Sequence, residues 1–475
     1  MSTADRLSRA TLPRVPEPLR PAVDPASLRP RLVHLGIGAF HRAHQAVYTE
    51  RAEAAHGGGW GIAGVTQRSR AVVDQLRPQD GLYSLTRREP NGPAIRIVGS
   101  VTEVLHAIDD GHRLTALLAN PDVAVVTITV TEKGYRWDPE TGGLAVGDPL
   151  VRCDLAGAPT PTTVVGQLVA GLRARMRVGA PISVVSCDNM VGNGEVTARL
   201  VREYAAASSW PERERLLDWI GSAVAFPSTV VDRIVPATTG ADLRTAELAL
   251  GLRDEGAVVG EPFSQWIVQD AFAADRPRWE AAGVAFVPDV RPHQIMKLRL
   301  LNGAHSLIAY LGLAAGCETV ADVMDTPWGE RVVRAYTAEV AATLTGGLSA
   351  ETYTDDLIER FANHAMQHRL RQIAADGSLK IPERWLAPVR ELRAAGGQTP
   401  MLELALAAWA RHTRDGEPDD PAAARLRQAW ADRRGADAVR ALLAVLGADD
   451  LAEDASLTAA VTTHLADPPR LGCVQ

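Results

Sequence analysis

Arg31-Leu32-Val33-His34-Leu35-Gly36-Ile37-Gly38-Ala39-Phe40-His41 joins a short apolar run to a glycine turn, and the architecture of the chain follows from it. A helix-compatible stretch runs on from about residue 40 to 55, and Gly57-Gly58-Gly59 stops it before a second short apolar run at 60–65. Strand, glycine turn, helix and strand make one βαβ unit. Its turn is where a parallel sheet receives a dinucleotide: glycine lets the backbone approach a pyrophosphate, and the helix start offers unpaired amides. Gly36, Ile37, Gly38, Ala39 and Phe40 are therefore candidate cofactor contacts. His41 replaces the usual third glycine, so an ordinary tight turn is an equal reading of the motif taken alone.

Working outward, DVAVVTITV at 122–130 and PISVVSC at 181–187 are continuous β-branched runs of the kind that form buried parallel strands, with a helical stretch at 161–175 between them. This alternation predicts a doubly wound sheet over roughly residues 30–285. From about His293 the β-branched runs cease. Ala-, Leu- and Arg-rich segments of helical period follow, at 328–344, 401–412, 421–432 and 436–446. The expected fold class is an α/β Rossmann-type N-terminal domain (31–285) plus an all-α C-terminal domain (286–475), preceded by a proline-spaced extension (1–30).

At 475 residues the chain is too long for one ordinary core, while 46% hydrophobic and 23% charged residues give an ordinary globular balance. The formal charge of -7 and the scattered basic residues point away from a nucleic-acid partner. The N-terminus lacks the apolar core of a signal peptide, and no window is long enough to cross a bilayer. A cytoplasmic enzyme without a membrane partner is expected. Cys153, Cys187, Cys317 and Cys473 are far apart with no CxxC pair, which argues against a disulfide framework or a structural zinc. With no HExxH either, no metal is expected. Cys187 closes a Val-rich run and reads as a buried small hydrophobe.

The second strand ends in Thr66-Gln67-Arg68-Ser69-Arg70. An acidic residue for an NAD ribose is missing there, and Arg68 beside a serine suits a 2′-phosphate. NAD is the expected cofactor, with NADP the open alternative.

The stretch Gln294 to Ser306 carries the strongest chemical signal. At ~100° per residue, Lys297, Asn302 and His305 fall within an arc of ~140° on an otherwise apolar helix. Such a polar face is costly unless it lines a cleft. A ketone–alcohol interconversion needs a group to move the hydroxyl proton, which a partly buried Lys297 can be, and donors for the developing alkoxide. Asn302, with a second amide such as Asn189, supplies an oxyanion pocket, and His305 orients a substrate hydroxyl. Spacing alone fits a helix end with a snorkelling Lys297 and a capped Asn302 somewhat better. Asn189 lies just past a buried strand, where ligands bind in open α/β sheets; Gly192-Asn193-Gly194 then marks another turn into a helix.

These residues, taken together, resemble the mannitol dehydrogenase family of polyol-specific long-chain dehydrogenases. The resemblance rests on Gly36-Ile37-Gly38-Ala39-Phe40-His41-Arg42-Ala43-His44, Thr131-Glu132-Lys133-Gly134-Tyr135 and Ser186-Cys187-Asp188-Asn189. Phe226-Pro227, Val231-Asp232-Arg233-Ile234, Gln265-Trp266, Lys297-x4-Asn302-x2-His305 and Asp376-Gly377-x2-Lys380 continue it, in order, from about 31 to 385. It implies a metal-free nicotinamide enzyme with Lys297 as general base in alcohol oxidation and general acid in ketone reduction. Asn189 and Asn302 polarise the carbonyl; His305, Asp232 and Lys380 hold substrate hydroxyls; Glu132 and Lys133 belong to the cofactor side. Family members are often monomers, so a monomer is expected, with a dimer as the alternative.

Residues 368–382, with Arg369, Arg371 and Lys380, resemble the family members that act on fructuronate and mannonate, as does Lys297-Leu298-Arg299. Clustered guanidinium and ammonium groups suit a substrate carboxylate. Mannitol 2-dehydrogenase or arabinitol dehydrogenase activity is the alternative. β-Hydroxyacid dehydrogenases use a Lys-x3-Asn pair, one residue tighter than here. A sugar-phosphate substrate stays open, and a non-catalytic nucleotide sensor is disfavoured because Lys297, Asn302 and His305 are all present.

Overall fold

The strand that opens at Arg29 is the centre of a six-stranded sheet in the computed structural model, which describes residues 5–138, 141–158, 160–416, 418–431 and 433–466. Cys473, Asp432 and the first four residues therefore lie outside the described residues. The chain divides into two units, Met1–Arg291 and Pro292–Gln475.

In chain order the strands of the first unit are β1 (Arg29–Leu35), β2 (Trp60–Thr66), β3 (Tyr83–Glu89), β4 (Gly92–Val98), β5 (Val101–His106) and β6 (Val125–Ile128). β7 (Ile182–Ser186), β8 (Val224–Ala225), β9 (Thr229–Asp232), β10 (Val258–Gly260), β11 (Gln265–Gln269) and β12 (Ala285–Val287) follow. The main sheet has the order β5-β2-β1-β6-β7-β8 with every neighbouring pair parallel. Its direction of growth reverses between β1 and β6, which is the arrangement that opens a ligand crevice at the carboxyl ends of those strands. Both faces are covered: Val33, Leu35, Val126, Ile128 and Val184 pack to one side, Leu32, Ile62, Val125 and Val185 to the other. This two-sided burial is why β6 and β7 read as unbroken apolar runs rather than alternating ones.

The sheet stops at Ala225, short of the expected 285. The remaining strands make two three-stranded sheets, β10-β3-β4 and β12-β11-β9. The helix expected over 40–55 is two helices, Ala39–Ala43 and Gln45–His56, broken at His44 (φ -127°, ψ -90°). The His44 ring, hydrogen-bonded through Nε2 to the Gln265 carbonyl at 2.8 Å and stacked on Phe40, holds that break. The proline-spaced segment is built into this unit. Leu7 N donates to Arg253 O (2.9 Å), Arg6 pairs with Glu255 (3.1 Å), and Leu7 and Val15 are buried with Leu82, Ile97, Leu250 and Leu252.

Every described regular element of the second unit is helical. Helices Gly329–Ala341, Pro400–Asp415, Ala423–Trp430 and Gly435–Val445 stand where the apolar periodicity places them. Helices Gly329–Ala341 and Pro400–Asp415 pack against helix Gly303–Ala314, whose residues 303–312 are all buried. Among the described residues no helix is long and apolar enough to cross a membrane.

Candidate active site

The turn after β1 is shaped by Gly36. Its φ is +106°, and a Cβ there would lie 2.0 Å from the Thr129 carbonyl oxygen, so no other residue fits. Gly36 N and Ile37 N both donate to Val65 O, at 2.8 and 3.0 Å. Gly38 differs: its φ is -81°, and an added Cβ would meet nothing nearer than 3.8 Å. Nothing in the protein requires a glycine at that spot, which is what a surface reserved for a closely approaching ligand looks like. Ala39 and Phe40 open the short helix that follows. Beneath the turn, His34 bonds Thr127 Oγ1 (2.7 Å) and Thr129 Oγ1 (2.8 Å), and its ring stacks on His41 at 3.4 Å. Burial drives the His34 pKa down to about 3 and that of His41 well below its usual value. His34 and His41 are neutral packing groups. At the end of β2, Arg68 is exposed, while both polar atoms of the neighbouring Gln67 carboxamide are buried and unpartnered.

The carboxyl ends of β6 and β7 are tied together by Asp188. Its Oδ1 accepts from Thr131 N (2.8 Å), and its Oδ2 accepts from Val130 N (3.1 Å) and from Tyr135 Oη (2.8 Å). Burial pushes the Asp188 pKa up despite these bonds. The clamp holds Thr131 at φ 64°, ψ 159°, a strained conformation for a β-branched residue, and the exposed Glu132 and Lys133 start the turn that follows. Asn189 is the next residue after the clamp and is exposed at the mouth of the strand. Asn193 braces the same region: its Nδ2 donates to Asp188 O and Thr229 O, both at 3.0 Å, and its Oδ1 accepts from Thr229 N (2.9 Å). That last bond anchors β9, which ends in the buried Asp232, paired in register with Gln265.

In the second unit, Lys297–Asn302 is a π-helical turn set between helices Arg291–Met296 and Gly303–Ala314. The α-helical period assumed from sequence does not apply there. With i to i+5 bonding, residues five apart stack, so Lys297 and Asn302 share a face more closely than ~100° steps allow. Carbonyls displaced from the regular ladder take side-chain donors. Tyr336 Oη reaches Arg299 O (3.0 Å), Arg384 Nη1 reaches Asn302 O (3.2 Å), and Trp385 Nε1 reaches Gly303 O (3.2 Å). Arg384 and Trp385 themselves lie on a second π turn, Pro382–Leu386. Arg299, read from sequence as leaning towards an acidic substrate, is committed elsewhere: both guanidinium arms bond Glu391 at 2.6 Å and Nη1 also bonds Thr343 O.

His305 and Asn302 are buried, Lys297 half-buried. The His305 ring stacks on Phe361 at 4.4 Å and meets His368 edge-on at 4.9 Å. Burial pushes its pKa well below the usual value, assisted by the charges of His368, Arg360, Arg384 and Lys380. Lys380 donates to the carbonyls of Ile373 (3.3 Å) and Ala375 (2.5 Å), using two of its three N–H bonds. Arg369 and Arg371 are exposed, and the charge of Arg371 is felt by His412. Sequence reasoning passed over Gln67, Asp188, Arg360, His368 and Arg384. Of these, only Asp188 had a local signal, its place at a buried strand end.

Known proteins now bear on this geometry. The model of the mannitol dehydrogenase Rossmann domain matches residues 30–281, and that of the mannitol dehydrogenase C-terminal domain matches residues 289–467. The chain belongs to the mannitol dehydrogenase family. It is a dehydrogenase acting on a CH–OH group. Among its relatives is D-mannonate oxidoreductase of Escherichia coli (strain K12), 40% identical over 93% of this chain and 94% of that one. Pseudomonas fluorescens mannitol 2-dehydrogenase, solved as a ternary complex with NAD and D-mannitol, has a TM-score of 0.85 and 33% identity, covering 98% of this chain and 97% of that one. A D-sorbitol dehydrogenase in substrate-free form has a TM-score of 0.88 and 30% identity, covering 98% of this chain and 99% of that one.

Proposed function

We propose that this family member is an NAD-dependent oxidoreductase interconverting D-mannonate and D-fructuronate, with Lys297 as the proton-transfer group. It acts as a cytoplasmic monomer on a small-molecule substrate. The observation that carries the reading is the Lys297–Asn302 π turn, which stacks an amine and a carboxamide on one face, one turn before the buried His305.

The residues present fit the cofactor. Gly38 leaves room that the protein itself does not fill, and the Gln67 carboxamide is buried without a partner where an adenosine ribose is expected. The turn of Gly36, Ile37, Gly38, Ala39 and Phe40 would hold the pyrophosphate, with the donors coming from the amides at the start of the following helix, and Gln67 and Arg68 would hold the ribose, with Glu132 and Lys133 completing the cofactor side. When bound, NAD supplies the hydride acceptor for oxidation and the donor for reduction.

The chain supplies the rest. Lys297 Nζ takes the hydroxyl proton as the alcohol is oxidised and returns it as the ketone is reduced. The carboxamides of Asn302 and Asn189 donate to the oxygen on which charge develops. His305, Asp232 and Lys380 hold neighbouring hydroxyls. The 40% identity to D-mannonate oxidoreductase across nearly the whole of both chains supports a sugar acid as substrate. The similarity to mannitol and sorbitol dehydrogenase structures favours a second reading, a polyol dehydrogenase.

Oxidation of NADH is followed with D-fructuronate, D-fructose and D-xylulose in parallel, for the wild type and Lys297→Ala. Rapid turnover of fructuronate, lost by a factor of about 100 to 10,000 in the variant with NADH still bound, is the expected result. Turnover of fructose or xylulose in preference to fructuronate establishes the polyol reading. Unimpaired Lys297→Ala removes the lysine from the mechanism.

A further inference from the structure

The groups around His305 divide into two kinds. The first are cations. Arg384, on the second π turn, bonds the helix that carries His305: its Nη1 donates to Ser306 Oγ at 2.7 Å and to Asn302 O at 3.2 Å. It is thereby fixed next to residues on either side of His305 in the chain. Arg360 precedes Phe361, whose ring lies against the imidazole. The positive charges felt by His305 include those of Arg360, Arg384 and Lys380. The Lys380 ammonium caps two carbonyls and feels Asp376, Asp419 and Asp420.

The second kind are neutral donors. His305 Nε2 and His368 Nδ1 are buried and have no hydrogen-bond partner in the protein. Buried polar atoms are nearly always paired, so two on adjoining rings mark a place where a ligand completes the set. Burial keeps both imidazoles uncharged, His368 with a pKa of about 4, so each carries one N–H and one lone pair. Positive charge beside neutral donors is the combination that holds a carboxylate, because arginine presents a planar fork of N–H bonds and the imidazoles add directed contacts.

We propose that Arg384 and Arg360, with the buried ring nitrogens of His305 and His368, form a carboxylate subsite that selects a sugar acid over the neutral polyol of the same length. The inference rests on the sugar-acid reading above and transfers the carboxylate contact from the exposed Arg369 and Arg371 to these half-buried arginines. Arg384 also bonds the π turn, so a structural role is the competing explanation and the test separates the two.

The ratio of kcat/KM for D-mannonate to that for D-mannitol is measured with NAD for the wild type, Arg384→Gln, Arg384→Lys and Arg360→Gln, with melting temperature as a control on folding. A wild type favouring mannonate, and a ratio that falls about 100-fold in Arg384→Gln, chiefly through KM for mannonate, is the expected result. Arg384→Lys keeps the charge but not the fork and falls between. Arg360→Gln shows the same loss of preference and decides the matter if Arg384→Gln does not fold. If the wild type prefers mannonate but the variants lower both substrates equally, the arginines are structural and the subsite is wrong while the sugar-acid reading stands. A wild type that prefers mannitol refutes the sugar-acid reading itself.

Discussion

The phenol oxygen of Tyr336 occupies the place of a side chain on Gly303: a Cβ added there would lie 2.0 Å from Tyr336 Oη. The same hydroxyl donates to Arg299 O at 3.0 Å inside the π turn. The glycine and the tyrosine are thus one device, the first making room for the second, and the second satisfying a carbonyl that the wide turn leaves over. Gly303→Ala overpacks this contact at a typical cost of about 1–3 kcal/mol, and it displaces Asn302 from its neighbour. Tyr336→Phe costs about 1 kcal/mol for the lost bond. Combined, the two should be less harmful than their sum, because the phenylalanine lacks the atom with which the alanine collides. Chemical denaturation of the two single variants and the double variant checks this; strict additivity shows that the two residues act independently.

Asp188 accepts three hydrogen bonds, from Val130 N, Thr131 N and Tyr135 Oη, and in doing so keeps Thr131 at a positive φ. Asp188→Asn preserves the shape but turns one acceptor oxygen into a donor facing other donors. A loss of about 1–3 kcal/mol in stability is expected, as for buried groups left unpaired. The strained turn carrying Glu132 and Lys133 then relaxes, so KM for NADH rises as well. Urea unfolding and initial rates measure the two effects. An unchanged KM in a destabilised variant separates the clamp from cofactor binding.

These two devices also show where the sequence is readable. Runs such as Val125–Ile128 and Ile182–Ser186 are legible because a strand buried on both faces is apolar at every position. The two small sheets are not: β3 ends in Arg87, Arg88 and Glu89, and β10 has only three residues, too few for a period to register. Lys297, Asn302 and His305 were found because they are close in sequence, yet their true arrangement was hidden. Any reading by period assumes one helix type, and the spacing of five matches the π turn instead. Arg384 gave no signal, because what sets it apart from Arg369 and Arg371 is its bond to Ser306, 78 residues earlier in the chain. Arg299 misled for the same reason, its partner Glu391 being 92 residues away.

His34 and His41, stacked under the turn at Gly36, make the first unit sensitive to acid. Both are driven to low pKa by burial, His34 to about 3, while the unfolded values are near 6.5. The folded state therefore binds fewer protons than the unfolded state between these limits. Stability is fully present above about pH 6.5 and falls as pH drops towards the folded values, by at most about 1.4 kcal/mol per pH unit for each such histidine. Melting temperature measured from neutral pH downward should decline over this window, and His41→Gln should make the decline shallower. An equal slope in the variant places the acid sensitivity elsewhere.

Gly36 and Gly38 sit two residues apart in the turn and should respond to alanine in opposite ways. At Gly36 an alanine meets a carbonyl oxygen at 2.0 Å and a φ of +106°, so Gly36→Ala disturbs the fold itself, and melting temperature and activity fall together. At Gly38 the backbone is ordinary, and a methyl group meets no protein atom within 3.8 Å. Gly38→Ala should therefore melt like the wild type. If the space above Gly38 is where a pyrophosphate lies against the backbone, the methyl group keeps it away, and the Kd for NADH, measured by fluorescence titration, rises by about tenfold or more, equivalent to at least about 1.4 kcal/mol. The pairing of a normal melting curve with weakened cofactor binding is the signature, because no fault in the fold can produce it. Normal binding in Gly38→Ala means that the pyrophosphate lies elsewhere and that the turn serves only to start the helix.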